Sequence, residues 1–133
     1  MKVIRTVVGI IHDGKWFLLM KKKWAWTGWQ FTQGAQEQGE SQEEAVLREA
    51  KEETGLSCVI EKKLRFKRDY WFQEKGEKIH KYLTYFLLKT KKTDNVRISE
   101  EHSACAWYKK EDVPLQVTYN KDVIKQILKK YVP

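Results

Sequence analysis

Apolar residues along the chain fall into runs and alternations that predict five strands and two helices. Val3 to Ile11 is β-branched and apolar, His12-Asp13-Gly14-Lys15 interrupts it, and Trp16 to Met20 is apolar again. Asp-Gly between two such runs reads as a hairpin turn. From Val59 to Phe72 the chain alternates, with Leu64, Phe66, Tyr70 and Phe72 on one face and Arg65, Lys67, Asp69 and Trp71 on the other. Glu74-Lys75-Gly76-Glu77 reads as a turn, Ile79 to Leu88 as the returning strand, and Ala104 to Tyr108 as a short one. Ser41 to Thr54 opens on a capping box, Ser41 with Glu44, and stops at Gly55, which predicts a helix. A second helix is expected from about Lys121 to Val132, with Asn120 as its N-cap and Val123, Ile124, Ile127, Leu128 and Tyr131 as a buried stripe. Strands, helix, strands, helix is the order of a mixed α/β domain with a helix lying on a sheet.

Length and composition narrow the class. The 133 residues suit one domain spanning 1–133, and 41% hydrophobic residues with six Trp exclude a disordered chain. No apolar run approaches the roughly 20 residues that span a bilayer. Met1-Lys2-Val3-Ile4-Arg5-Thr6 has no signal-peptide pattern, so the expectation is a cytoplasmic protein with no membrane partner. Cys58 and Cys105 have no Cys or His nearby in sequence and are expected as buried thiols, and His12 and His80 as structural residues.

Charge is distributed unevenly. The net charge is +8, yet residues 37–53 hold seven carboxylates against two bases, a local −5 that leaves +13 on the rest. An acidic patch in a basic protein suggests a cation at the patch and an anion brought to it. On the predicted helix Glu49, Glu52 and Glu53 fall at i, i+3 and i+4, on one face. In a cleft, two carboxylates at ~6 Å and an effective dielectric of ~20 repel by roughly 3 kcal/mol. A divalent cation relieves that, and hard oxygen donors suit Mg²⁺, with Mn²⁺ as a substitute. Taken alone, such a face is the ordinary solvated side of a helix.

The wider spacing changes the picture. Gly34, five residues, Glu40, seven residues, then Arg48-Glu49-Ala50-Lys51-Glu52-Glu53-Thr54-Gly55-Leu56 resembles the 23-residue box of Nudix hydrolases at every defined position. The resemblance implies a Nudix-type α/β/α sandwich with a mixed sheet and a catalytic loop-helix-loop. It also implies metal-dependent hydrolysis of a nucleoside diphosphate linked to another group. Glu49, Glu52 and Glu53 would then be metal ligands, with the Gly34 carbonyl, while Arg48 would hold the carboxylates and Glu40 would order the loop. The general base stays open among Glu49, Glu52 and a later glutamate, for which Glu101 is the candidate.

Flanking segments bear on substrate. Trp29-Gln30-Phe31-Thr32-Gln33-Gly34 is similar to the Trp-Gln-Phe-Pro-Gln-Gly entry of bacterial dinucleoside polyphosphate hydrolases and RNA 5′-pyrophosphohydrolases, with Thr32 where proline is usual. Lys81-Tyr82-Leu83-Thr84-Tyr85, then Ser99-Glu100-Glu101-His102 and Trp107, resembles the asymmetric diadenosine tetraphosphate hydrolases. That likeness implies Lys81 on phosphate, Tyr85 stacked on adenine, Glu101 and His102 beside the metals, and Tyr70 near the substrate. Lys21-Lys22-Lys23 beside Trp24 and Trp26 either guides phosphate with bases stacked on the indoles, Lys23 being the candidate contact, or forms a solvated loop. Arg65, Lys67 and Arg68 extend a basic rim or face water. No proline lies between Gly55 and Val113, which argues against an ADP-ribose enzyme. The leading expectation is hydrolysis of diadenosine tetraphosphate to ATP and AMP. The alternatives are a nucleoside triphosphate pyrophosphohydrolase, an RNA 5′-end pyrophosphohydrolase and, more remotely, an inactive nucleotide- or RNA-binding module. Oligomeric state is not legible.

Overall fold

The computed structural model describes residues 1–24 and 27–132. The strands are β1 (Lys2–His12), β2 (Trp16–Lys22), β3 (Gly28–Gln30), β4 (Thr32–Ala35), β5 (Val59–Glu74), β6 (Glu77–Lys89) and β7 (His102–Lys109). The helices are α1 (Gln42–Thr54), a short α2 (Val113–Gln116) that follows a 3₁₀ turn, and α3 (Lys121–Tyr131). Among the described residues no helix is long and apolar enough to cross a membrane.

The expected Asp-Gly turn forms: Asp13 Oδ1 accepts from the amides of Lys15 (2.9 Å) and Trp16 (2.7 Å), and Gly14 takes φ 106. The strands it joins then part, because β1 and β2 pair at His12–Phe17 alone. Beyond that point β1 runs parallel to β6 and antiparallel to β4, while β2 pairs antiparallel with β3 and β7. The mixed sheet therefore divides into two blades, β4-β1-β6-β5 and β3-β2-β7.

β1 explains its own sequence. Val8 and Ile10 pack on one side with Val113, Ile124, Ile127 and Leu128 of the C-terminal helices. Val7 and Ile11 pack on the other with Ala45, Val46 and Ala50 of α1. A strand buried on both faces has no use for polar alternation, so it reads as an apolar run. The result is α1, sheet, α3: three layers. Gly9 lies between, and a Cβ there would sit 2.8 Å from Leu88 Cδ1 and 2.9 Å from Thr32 Cγ2.

Several expectations need correction. Asn120 occupies the N-cap of α3 in the left-handed region (φ 58), and its side chain makes no capping hydrogen bond. β3, β4 and α2 were not legible; β4, for example, is held by pairing to β1 and not by any apolar alternation of its own. Cys58 precedes β5 and, like Cys105, is half-buried. Trp26 lies outside the described residues.

Candidate metal and catalytic site

The helix that carries the acidic face is fixed at both ends. Ser41 Oγ accepts from the Glu44 amide and Glu44 Oε1 accepts from the Ser41 amide, each at 3.0 Å, closing the capping box. Gly55 takes φ 74 and its amide donates to the Lys51 carbonyl. Ala45, Val46 and Ala50 hold one side of α1 against β1, which turns Glu49 and Glu53 toward β4.

Arg48 ties this face together. Its Nε and Nη2 bind Glu40 in a fork, at 2.6 and 3.0 Å, and Nη2 also donates to the Ala35 carbonyl at 3.1 Å. Nη1 reaches Glu49 at 2.8 Å and Glu52 at 3.2 Å. These partners push the Arg48 pKa upward, with the Glu40 contact foremost. One guanidinium so links the loop before α1, the end of β4 and two carboxylates of the helix.

Glu53 is 5% exposed and accepts from the Thr32 hydroxyl and, at 3.3 Å, from the Gln33 amide. Burial pushes its pKa up to about 8, against the pull of the Thr32 bond; the charges of Glu49 and Glu101 raise it further. Burial likewise raises Glu49, opposed by Arg48 and reinforced by Glu52 and Glu101. Glu52 projects outward, its side chain 58% exposed. Gly34 sits directly under Glu49, so that a Cβ would collide with its carboxylate.

Glu49, Glu53 and Glu101 thus share one electrostatic neighbourhood of hard oxygen donors. Among the described residues, no three His, Cys, Asp or Glu side chains are already gathered to hold an ion. Arg48 engages Glu49 and Glu52, and Thr32 engages Glu53, so ligation requires Glu49 and Glu52 to swing off the guanidinium. The donor chemistry, the mutual repulsion and the side-chain-free cradle at Gly34 all fit a hard divalent cation.

Beside this patch lies a cavity of about 290 Å³. Gln33, whose amide bonds Glu53, is in its wall, along with Lys81, Tyr70 and Tyr85. Tyr85 departs from its expected role: it is 2% exposed, with Phe66 edge-on to its ring at 5.7 Å, and offers no open face on which a base could stack. His102 lies in the turn that carries Glu101. It is 3% exposed, with Nδ1 3.1 Å from Ser99 Oγ and its amide bonded to the Ser99 carbonyl, so its ring closes the 99–102 turn. Burial lowers its pKa. Glu101 is exposed, and its carbonyl accepts from the Lys23 amide at 2.8 Å, which fastens this turn to the end of β2. The Lys23 ammonium lies 5.4 Å from the Trp24 ring, outside the cavity.

Sequence reasoning missed two residues. Thr32 stood out only as a departure from proline, and its bond to Glu53 could not be read from that. Arg68, read as rim, lines the cavity.

Comparison with known proteins agrees with this geometry. The chain matches the NUDIX domain over residues 2–131. It is 29% identical over 91 residues to a Mycobacterium tuberculosis protein named as mutator protein MutT4, covering 68% of this chain; it spans about a third (36%) of that relative's length. Its fold resembles a Caenorhabditis elegans Ap4A hydrolase (TM-score 0.74, 24% identity, 93% of this chain and 94% of that one). It also resembles the Escherichia coli dihydroneopterin triphosphate pyrophosphohydrolase (0.77, 17%, 96% and 94%) and a Burkholderia pseudomallei MutT NUDIX hydrolase (0.73, 26%, 95% and 98%). A complete loop-helix-loop of carboxylates on a three-layer fold, matched along nearly its whole length, makes this chain a member of the Nudix hydrolase family.

Proposed function

We propose that this chain, acting as one domain over residues 1–133, hydrolyses a phosphoanhydride bond in a dinucleoside polyphosphate such as diadenosine tetraphosphate, releasing ATP and AMP. The observation that carries the reading is a carboxylate patch adjoining a cavity that offers Lys81, Tyr70 and amide side chains. Mg²⁺ is the expected cofactor, with Mn²⁺ as a substitute. Glu49, Glu52, Glu53 and the Gly34 carbonyl would hold it, and when bound it would neutralise phosphate oxygens and acidify a water. Arg48 keeps Glu49 and Glu52 aimed at one locus in its absence. Thr32 and the Gln33 amide fix one oxygen of Glu53 and leave the other free. The water's proton would go to Glu49, Glu52 or Glu101; the charge of Glu101, on an exposed turn, is felt by Glu49 and Glu53 and supports including it. Lys81 would contact phosphate from the cavity and Lys23 would guide it from outside.

A second reading, a nucleoside triphosphate pyrophosphohydrolase, is favoured by the similarity to MutT4. An RNA 5′ end is a third possible substrate, supported by the +13 charge outside the acidic segment. Chromatography of products from diadenosine tetraphosphate, canonical nucleoside triphosphates and a 5′-triphosphorylated RNA, with and without Mg²⁺, tests all three. ATP plus AMP, formed only with metal, is expected. Pyrophosphate or phosphate from a triphosphate, with diadenosine tetraphosphate left intact, would overturn the leading substrate.

A further inference from the structure

Four strand ends meet at one end of the sheet. β1 finishes at His12 and β6 at Lys89, paired in register, while β2 begins at Trp16 opposite Lys109, where β7 finishes. Lysines gather there around one ring. Lys15 from the hairpin turn, Lys92 from the segment after β6 and Lys109 from β7 hold their ammonium groups 5.9, 5.6 and 5.8 Å from the centre of the half-buried Trp16 ring. Among the described residues no other aromatic ring collects three cations. Lys89 joins them, its Nζ 4.0 Å from where a side chain on Gly14 would begin. An indole attracts ammonium groups through its electron-rich faces, but it carries no net charge and cancels none of theirs.

The fold supplies little else to neutralise them. Lys15, Lys89, Lys92 and Lys109 make no ion pair among the described residues. These lysines line two open depressions: Lys89, Lys91 and Lys92 one, Lys15, Lys109 and Lys110 the other, with Trp16 in reach of both sets. Three carboxylates share those walls. Asp13 is engaged by the amides of Lys15 and Trp16, and Glu61 by His12, which leaves Glu111 on the surface. This end also lies apart from the carboxylate helix. β2, 7 residues and roughly 20 Å long, separates Trp16 from the turn of Glu101, which Lys23 fastens at the other end.

Cations set on either side of an indole suit a ligand with repeated negative charge and flat rings between the charges. A single strand of nucleic acid has both, phosphates along its backbone and bases that stack on an aromatic side chain. An anionic bilayer or an acidic peptide offers the charge without the rings. We propose that the Trp16 end of the sheet is a docking surface for single-stranded nucleic acid, with Lys15, Lys92 and Lys109 on its phosphates and Trp16 stacked on a base. Docking here needs neither metal nor turnover, so it goes beyond the hydrolase reading and does not depend on it.

The probe is a fluorescent 15-nucleotide oligouridine with a 5′-hydroxyl, which contains no phosphoanhydride, followed by anisotropy with the full chain in EDTA. Binding that weakens steeply with salt is expected. Replacing Lys15, Lys92 and Lys109 together by Gln should weaken it at least about ten-fold. The slope of log affinity against log salt should fall by about two, since each phosphate contact on a single strand contributes about 0.7. Replacing Lys121, Lys125 and Lys129 of α3 by Gln removes the same charge from another exposed face and should change affinity less than about three-fold. Trp16→Leu should weaken binding about five-fold or more with the salt slope unchanged, because stacking releases no counter-ions. The lysine variants keep the test decisive where the leucine variant folds poorly. No binding by the wild type at about 50 mM salt overturns the proposal, and so does equal weakening by the two triple variants. Phosphatidylserine vesicles or polyglutamate bound through the same lysines while oligouridine is not would overturn it in favour of a membrane or an acidic protein.

Discussion

Removing the charge of Glu53 should stabilise the metal-free protein. Its carboxyl holds its proton up to about pH 8 in the fold, against an ordinary value of 4.5, chiefly because it is buried. Between those values the folded state binds a proton that the unfolded chain has released, so stability falls as pH rises and the loss is complete above about 8. At about 1.4 kcal/mol for each pH unit, that interval sets a ceiling of roughly 5 kcal/mol. Glu53→Gln keeps the shape and an oxygen for the Thr32 hydroxyl while removing the titration. In EDTA, wild type and Glu53→Gln should melt together below pH 4.5 and diverge above it. At pH 8 the variant should be higher by at least about 5 °C, the shift that one or two kcal/mol produces in a domain of this size. Mg²⁺ should then raise the wild-type melting temperature and leave that of the variant nearly unmoved. A wild type that is more stable than Glu53→Gln at pH 8 in EDTA, or a gap that does not widen with pH, would refute the argument.

Two further outcomes follow from the contacts around that carboxylate. Gly34→Ala drives a methyl into the Glu49 carboxylate, the end of a flexible side chain, so melting should move little while turnover falls about a hundred-fold, as stability curves and kcat would show. Thr32→Val keeps the methyl that fills the space above Gly9 but loses the donor to Glu53, whereas Thr32→Ser does the reverse. Mn²⁺ titrations followed by electron spin resonance should find affinity weakened about ten-fold in the valine variant and near wild type in the serine variant, with the order of the melting temperatures inverted.

Legibility of the sequence tracked how local each feature is. The capping box, the αL glycine after α1 and the stripe on α3 depend on residues within a few positions of one another, and each stands where periodicity places it. Glu49, Glu52 and Glu53 were legible because helical spacing alone puts them on one face, while Glu40 and Arg48 stood out only through the resemblance of the 23-residue box. What failed to show was tertiary. β4 exists because β1 offers it an edge, and the parting of β1 from β2 depends on partners supplied by β6 and β7. Tyr85 and His102 matched a pattern by type and order, yet burial decides what their rings can touch. Arg68 was read as one of three basic residues on a rim, although alternation already puts it on the face of Leu64, Phe66, Tyr70 and Phe72, beside Tyr70 in the cavity wall.

The parallel pairing of β1 with β6, from Lys2–Ile79 to His12–Lys89, has a consequence for the order of events on the ribosome. The whole acidic motif is synthesised by residue 56, but the strand that anchors its entry loop has one edge empty until residue 89 has emerged. Contacts so distant in sequence form late. A nascent chain that already carries Gly34, Arg48, Glu49, Glu52 and Glu53 therefore has no assembled site. It also leaves the apolar stretch from Val7 to Ile11 exposed during that interval, a stretch that a chaperone must shield or a neighbouring nascent chain will find.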